Sequence, residues 1–122
     1  MALRVLIVDD NELTLELVSK ILELDGYEVD VAYNASDAMN LIRSNIHDLL
    51  ILDVMMPDMN GYDLCKILRQ PPFTIIVPIL ILTAEGSDQD TVHALDCGAN
   101  DLLTKPFKID DLRKHVKDLI KD

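Results

Sequence analysis

With 122 residues, 49% of them apolar and only four Gly and five Pro, the chain can bury one core without disulfide or metal staples, which excludes a disordered or low-complexity segment. Its 11 basic residues face 22 acidic ones, and a net charge of −11 is repelled by DNA, RNA and anionic lipid, so direct nucleic-acid or membrane-surface binding is excluded. Cys65 and Cys97 form no CxxC pair and have no histidine at metal-ligand spacing, and are read as reduced packing thiols.

Residues 3–8 form an apolar run that suits a buried strand, and it stops at Asp9-Asp10. Those acids also rule out a secretory leader. Leu13, Leu17, Ile21 and Leu24, with Val18 and Leu22 beside them, predict an amphipathic helix that Asp25-Gly26 ends. Tyr27, Val29 and Val31 alternate with Glu28 and Asp30, which predicts a strand with one wetter face near a sheet edge. A second helix opens near Asn34 or Ser36, turns Ala38, Leu41 and Ile42 inward, and ends around Ser44-Asn45.

Residues 49–52 are four consecutive aliphatics. They are too few for a helix and too apolar for a half-exposed strand, so they predict a parallel strand buried on both faces, with Asp53 directly after it. Asn60 and Asp63 have the N-cap and N3 spacing of a third helix with Leu64, Ile67 and Leu68 inward, closed by Pro71-Pro72. Residues 75–82 are the next buried run, with Pro78 at the strand's start and Thr83 at its end. At eight residues this run falls far short of the ~20 that a membrane helix needs. A short helix begins within residues 87–90, carries Val92, Ala94 and Leu95, and closes near Gly98. Leu102 and Leu103 make a fifth strand, and a last helix turns Ile109, Leu112, Val116, Leu119 and Ile120 inward and Lys114, Lys117 and Lys121 outward. Five strands alternating with five helices over short connections predict one doubly wound α/β domain over residues 1–122, with a five-stranded parallel sheet.

Parallel strands point their carboxyl ends the same way, so Asp9, Asp10, Asp53, Thr83 and Lys105 should gather on one edge of the sheet. Carboxylates crowded there repel by about 3 kcal/mol per pair at ~5 Å and an effective dielectric of ~20. Lys105 offsets part of this, and a divalent cation that prefers oxygen ligands, Mg²⁺, would offset the rest. Three carboxylates, an ammonium and a hydroxyl suit phosphoryl transfer: cations neutralise the transferring oxygens while one carboxylate attacks phosphorus.

Taken together, Asp9-Asp10, Asp53 in LDVMMPDMNG, Thr83-Ala84 after an apolar strand and Lys105-Pro106-Phe107 after GANDLLT resemble the receiver domain of two-component response regulators. The resemblance covers the whole chain, with 43, 30 and 22 residues separating Asp10, Asp53, Thr83 and Lys105. It implies the flavodoxin-like three-layer fold. It implies Asp53 as the phosphoacceptor, served by a sensor histidine kinase or phosphotransfer protein, in a domain that catalyses its own phosphorylation and dephosphorylation and is not a turnover enzyme. Mg²⁺ would be held by Asp10 directly, by Asp9 through water, by Asp53 and by the Met55 carbonyl. Lys105 would pair with the phosphoryl oxygens, after a cis Lys105-Pro106 bond, and Thr83 would hydrogen-bond one of them beside the small Ala84. Expected partners are a downstream effector protein or a covalently linked output domain in a longer parent chain, at a surface of the fourth helix, fifth strand and fifth helix. A homodimer formed on phosphorylation stays open, and the location is cytoplasmic.

The chain departs from the family pattern at Leu102, where receivers usually carry an aromatic residue that swings inward as the Thr moves. Met55 and Glu85 stand at positions that tune dephosphorylation. Asp58 is read as a turn residue, Gly61 as a backbone requirement, the Met55-Met56 pair as loop packing, and His47, His93 and His115 as polar-context residues without a role. The alternative is a phosphorylation-independent binding module, which should have lost part of the acid cluster or the lysine. A phosphatase of the haloacid dehalogenase-like kind needs an Asp where Met55 stands, and a nucleotide or flavin carrier needs a phosphate-cradling loop where Asp9-Asp10-Asn11-Glu12 stands. The chain ends at Asp122 as either a stand-alone regulator or a piece of a longer protein.

Overall fold

A computed structural model describes residues 2–84 and 88–120. The elements run β1 (Arg4–Val8), α1 (Glu12–Leu24), β2 (Glu28–Ala32), α2 (Ala35–Ser44), β3 (Leu49–Asp53), α3 (Gly61–Arg69), β4 (Ile79–Thr83), α4 (Asp88–Cys97), β5 (Asp101–Thr104) and α5 (Ile109–Leu119). Every strand pairing is parallel, in the order β2-β1-β3-β4-β5. The order reverses between β1 and β3, and open α/β sheets leave a crevice beyond the carboxyl ends of the strands at such a point.

Strand period two divides the apolar side chains between two cores. Leu6, Val8, Leu50, Leu52, Ile79 and Ile81 pack on one face with Ala35, Ala38, Leu64, Leu68 and Ala94 of α2, α3 and α4. Val5, Ile7, Leu49, Ile51, Leu80 and Leu82 pack on the other with Leu15, Val18 and Leu22 of α1 and Leu112 and Val116 of α5. Each of these larger side chains contributes roughly 1.5–3 kcal/mol on burial, which is why β1, β3 and β4 read as unbroken aliphatic runs. The result is the doubly wound, flavodoxin-like three-layer arrangement.

Local signals set most helix ends. Asn34 accepts from the Asp37 amide at 2.8 Å to open α2, and Asn60 accepts from the Tyr62 amide at 2.7 Å to open α3. Gly26, at φ 94°, follows the C-cap of α1. β2 lies at the sheet edge as the wetter pattern predicts, although its Val31 is exposed.

Several inward assignments are corrected. In α1 the buried stripe is Leu15, Val18, Ile21 and Leu22, while Leu13 and Leu24 are 76% and 87% exposed and Leu17 is also exposed. Each of those three leucines stands two residues, about 200° around the helix, from a buried one. Both series have helical spacing, and docking on the sheet selects between them. In α4 Ala94 and Cys97 are buried and Val92 and Leu95 are exposed, and in α5 Ile109 is exposed. Residues 75–78 lie outside β4, because Pro78 has no amide hydrogen to give and the Arg69 guanidinium takes the carbonyls of Ile75 and Val77 at 3.0 and 2.7 Å. Ile76 is left 93% exposed. Ser87, in the expected helix start, together with Glu85 and Lys121, lies outside the described residues.

Candidate functional site

β1, β3, β4 and β5 deliver their carboxyl ends to one edge. Asp9 follows β1, Asp53 is the last residue of β3, Thr83 ends β4, and Lys105 follows β5. Register keeps these ends level, with Asp53 opposite Leu82 and Thr83 opposite Thr104. The Lys105 amide donates to the Thr83 carbonyl at 2.6 Å. The Lys105-Pro106 bond is cis, as the resemblance implies.

Asp9 is 0% and Asp53 5% exposed. The Lys105 Nζ bridges them, 2.7 Å from Asp9 Oδ2 and 2.9 Å from Asp53 Oδ1. Asp9 Oδ1 accepts from the Asn11 amide at 2.9 Å, so both Asp9 oxygens are engaged. Asp10 is exposed. Asp9, Asp10 and Asp53 each offer an oxygen within 4.8 Å of the others. All three donors are carboxylate oxygens, the ligand type that Mg²⁺ prefers. Three carboxylates and one ammonium leave two negative charges, which a divalent cation balances. Met55 lies two residues beyond Asp53 with its side chain exposed, and Ala84 is exposed after Thr83.

Burial pushes the Asp53 carboxyl above its ordinary value of 3.8; the Lys105 hydrogen bond opposes this and the Asp9 charge adds to it. For Lys105 burial works downward, but the Asp9 and Asp53 contacts outweigh it and hold the ammonium above 10.5. The sign for Asp53 is then fixed. A raised carboxyl costs the fold nothing below its unfolded value and its full amount above its folded value. Asp53→Asn should therefore stabilise the Mg²⁺-free protein at pH 7, with the gain fading toward pH 4. Urea midpoints across that range measure it, and a destabilised Asn variant would contradict the assignment.

The loop from β3 to α3 is anchored at both ends. The Gly61 amide donates to the Val54 carbonyl at 2.9 Å. Asp58 is more than a turn residue: its carboxylate accepts from the Ala35 and Ser36 amides at 3.0 and 3.1 Å, capping α2 from across the domain. Those amides hold the Asp58 carboxyl below the usual range.

Two groupings escape sequence reasoning. Tyr62, buried at the start of α3, donates its hydroxyl to Asp90 Oδ1 of α4 at 2.9 Å. His93 of α4 stands edge-on to the Tyr62 ring, with centroids 5.3 Å apart. The Tyr62 signal was an aromatic residue directly after Asn60-Gly61, near the Asp53 loop. At the opposite edge of the sheet His47 is buried, not merely in a polar context, and its Nε2 lies 2.8 Å from Asp30 Oδ2, while Arg4 holds the same carboxylate. His115 pairs with Asp101. Cys65 and Cys97 are free and buried, and the Cys65 thiol donates to the Cys97 carbonyl at 3.2 Å.

The response regulator receiver domain profile matches residues 5–117. The response regulator MprA of Mycobacterium tuberculosis is 38% identical over 121 residues, which are 99% of this chain and 52% of that protein; the chain spans about half the length of the curated relatives it matches. A putative response regulator from Chloroflexus aurantiacus superposes with a TM-score of 0.92 at 40% identity, covering 98% of both chains. The chemotaxis protein CheY4 of Vibrio cholerae superposes with a TM-score of 0.92 at 33% identity, covering 98% of this chain and 99% of that one. The signal receiver domain of a histidine kinase from Syntrophus aciditrophicus superposes with a TM-score of 0.87 at 39% identity, covering 98% and 90%. Among the described residues no helix is long and apolar enough to cross a membrane.

Proposed function

This chain belongs to the response regulator receiver domain family, and from that premise we propose that Asp53 accepts a phosphoryl group from the phosphohistidine of a kinase or phosphotransfer protein. The N–P bond of the donor breaks as an Asp53 carboxylate oxygen bonds to phosphorus, and the imidazole leaves with the electron pair. The observation that carries this reading is the bridging of Asp9 and Asp53 by one ammonium beside an exposed Asp10. Lys105, already on Asp53 Oδ1, is close enough to move onto an incoming phosphoryl oxygen, and Thr83 can supply a hydroxyl to another.

Asp10, Asp53 and the Met55 carbonyl would hold Mg²⁺ directly. Asp9, whose two oxygens are already engaged, would serve it through water. Bound Mg²⁺ neutralises charge on the transferring oxygens. The chain's own groups fix the nucleophile, and the short side chain of Ala84 leaves room for the donor. The domain promotes its own phosphorylation and acts in the cytoplasm as a switch, passing the state of Asp53 to an effector or a linked output domain.

Intact mass after incubation with acetyl phosphate tests this. Wild type should gain one phosphoryl group only with Mg²⁺, and Asp53→Asn none. No gain under any condition would favour a phosphorylation-independent binding module, and a gain that persists in Asp53→Asn would move the acceptor to Asp9 or Asp10.

A further inference from the structure

Between Asp53 and α3 the chain crosses the site as a loop with few bonds of its own. At its start the Val54 amide donates to the Leu82 carbonyl at 3.0 Å and the Val54 carbonyl accepts from the Gly61 amide at 2.9 Å. At its end Asn60 caps α3. Among the described residues, the hydrogen bonds that tie residues 55–59 to other elements are those of Asp58, whose two carboxylate oxygens accept from the Ala35 and Ser36 amides at 3.0 and 3.1 Å. Met56 and Met59 are half-buried against the core, while Met55 and Pro57 are exposed.

We propose that Asp58 is a positioning residue for the Mg²⁺ site: its grip on the first turn of α2 holds the loop in the conformation that offers the Met55 carbonyl. The proposal rests on the phosphoacceptor reading above and deepens it. The anchor on α2 is firm. Asn34 takes the Asp37 amide with its side chain and the Ala38 amide with its carbonyl, at 2.8 and 3.2 Å, so Ala35 and Ser36 are the two first-turn donors left over. Both go to Asp58. Ala35 is fully buried, which fixes that turn against the core, and a carboxylate at a helix N-terminus gains from charge-assisted bonds and from the helix dipole together. The link back to Met55 is short and stiff. Pro57 has a fixed φ, and Met56, as the residue before a proline, is confined to extended backbone, so few free torsions separate Asp58 from the Met55 carbonyl.

Without the tether the loop samples conformations that aim this carbonyl elsewhere, and the apparent Mg²⁺ affinity falls with the fraction that remains competent. The coupling is reciprocal. Occupancy of the metal site should hold Asp58 on α2, so the first turn of that helix registers whether the site is filled.

The experiment is Mg²⁺ titration of wild type, Asp58→Asn and Asp58→Ala, followed by amide NMR shifts in about 0.15 M and about 1 M salt, with amide hydrogen exchange read in the wild type. Asp58→Ala should bind Mg²⁺ about 3- to 10-fold more weakly, the net worth of one hydrogen bond, since water competes at this exposed carboxylate. Asp58→Asn keeps one acceptor oxygen and should lie between. The ratio should persist in the higher salt, where a charge acting through space is screened. Phosphoryl uptake from acetyl phosphate should need correspondingly more Mg²⁺ to reach half its maximal rate, with the maximum unchanged. In wild type Mg²⁺ should slow exchange of the Ala35 and Ser36 amides more than that of Asp37, which Asn34 holds.

Equal Mg²⁺ affinity in wild type and Asp58→Ala overturns the proposal and leaves Asp58 a helix cap. A difference that vanishes in the higher salt overturns it too, in favour of simple charge. Unchanged Ala35 and Ser36 exchange in the wild type does the same, and decides the matter even where a variant fails to fold. Wild type that gains no phosphoryl group at any Mg²⁺ concentration overturns the phosphoacceptor reading and the proposal with it. Wild type that gains one, with the variants matching its Mg²⁺ dependence, overturns the proposal alone.

Discussion

Lys105→Met is expected to lower stability in Mg²⁺-free buffer at pH 7 by about 3 kcal/mol, the lower end of the cost of stripping one partner from a buried ion pair. The lower end applies because the Lys105 side chain remains 23% exposed. Asp9 and Asp53 are both buried and both rest on this one ammonium. Without it they face each other across less than 4.8 Å, a repulsion of about 3 kcal/mol at an effective dielectric of ~20. The methionine stem retains most of the packing, so the loss reports the charge.

Acid should reverse that loss. Asp53 is already raised by burial, and removal of Lys105 raises it further. A raised carboxyl costs nothing below its unfolded value and its full amount above its folded one, so the penalty should shrink toward pH 4. Mg²⁺ should restore part of it at pH 7. Lys105 itself, raised above 10.5, supports the wild type fully below that value and gives up its contribution as pH climbs through the folded one. Urea unfolding at pH 4 and pH 7, with and without Mg²⁺, measures all of this. A loss that is equal at both pH values would assign Lys105 to packing instead.

The strand-end residues were legible because each carries a local signature. An aliphatic run that stops at a polar residue marks the end of a buried strand, and parallel topology then brings Asp9, Asp53, Thr83 and Lys105 to one edge without further information. What stayed hidden depends on pairs set by packing. Tyr62 reads as a helix-start aromatic, and its partner Asp90 lies 28 residues on, in a helix whose mixed pattern did not reveal which face turns inward. Asp58 sits in a turn-forming stretch, and its amide partners belong to a helix opened 22 and 23 residues earlier. His47 looked polar because Asp30, which satisfies it, lies on the edge strand. In α1 two leucine series had equally good spacing, and only the sheet distinguishes them.

Glycine separates two physical requirements that sequence cannot tell apart, and Gly61→Ala should be the more damaging of two equivalent substitutions. Gly26 sits at φ 94° with nothing within 4 Å of an added Cβ. Its requirement is conformational, since the Gly26 and Tyr27 amides close α1 on the Glu23 and Leu22 carbonyls at 3.0 and 3.1 Å. Gly26→Ala should cost about 1 kcal/mol and leave phosphoryl uptake unchanged. Gly61 has no positive φ, but a Cβ there would lie 2.2 Å from the Asp53 carbonyl oxygen and 2.9 Å from its carbon. Both atoms are backbone and cannot turn aside, so the loop or β3 must move. Crowding of that kind costs about 1–3 kcal/mol or more, set against a gain of up to about 1 kcal/mol for Ala over Gly in a helix; with a contact this short we expect a net loss of about 2–3 kcal/mol. The displaced group is the acceptor residue itself, so Gly61→Ala should also slow phosphoryl uptake from acetyl phosphate at temperatures where the variant remains folded. Equal stability losses in the two variants, or normal uptake by Gly61→Ala, would show that the α3 start can yield without moving Asp53.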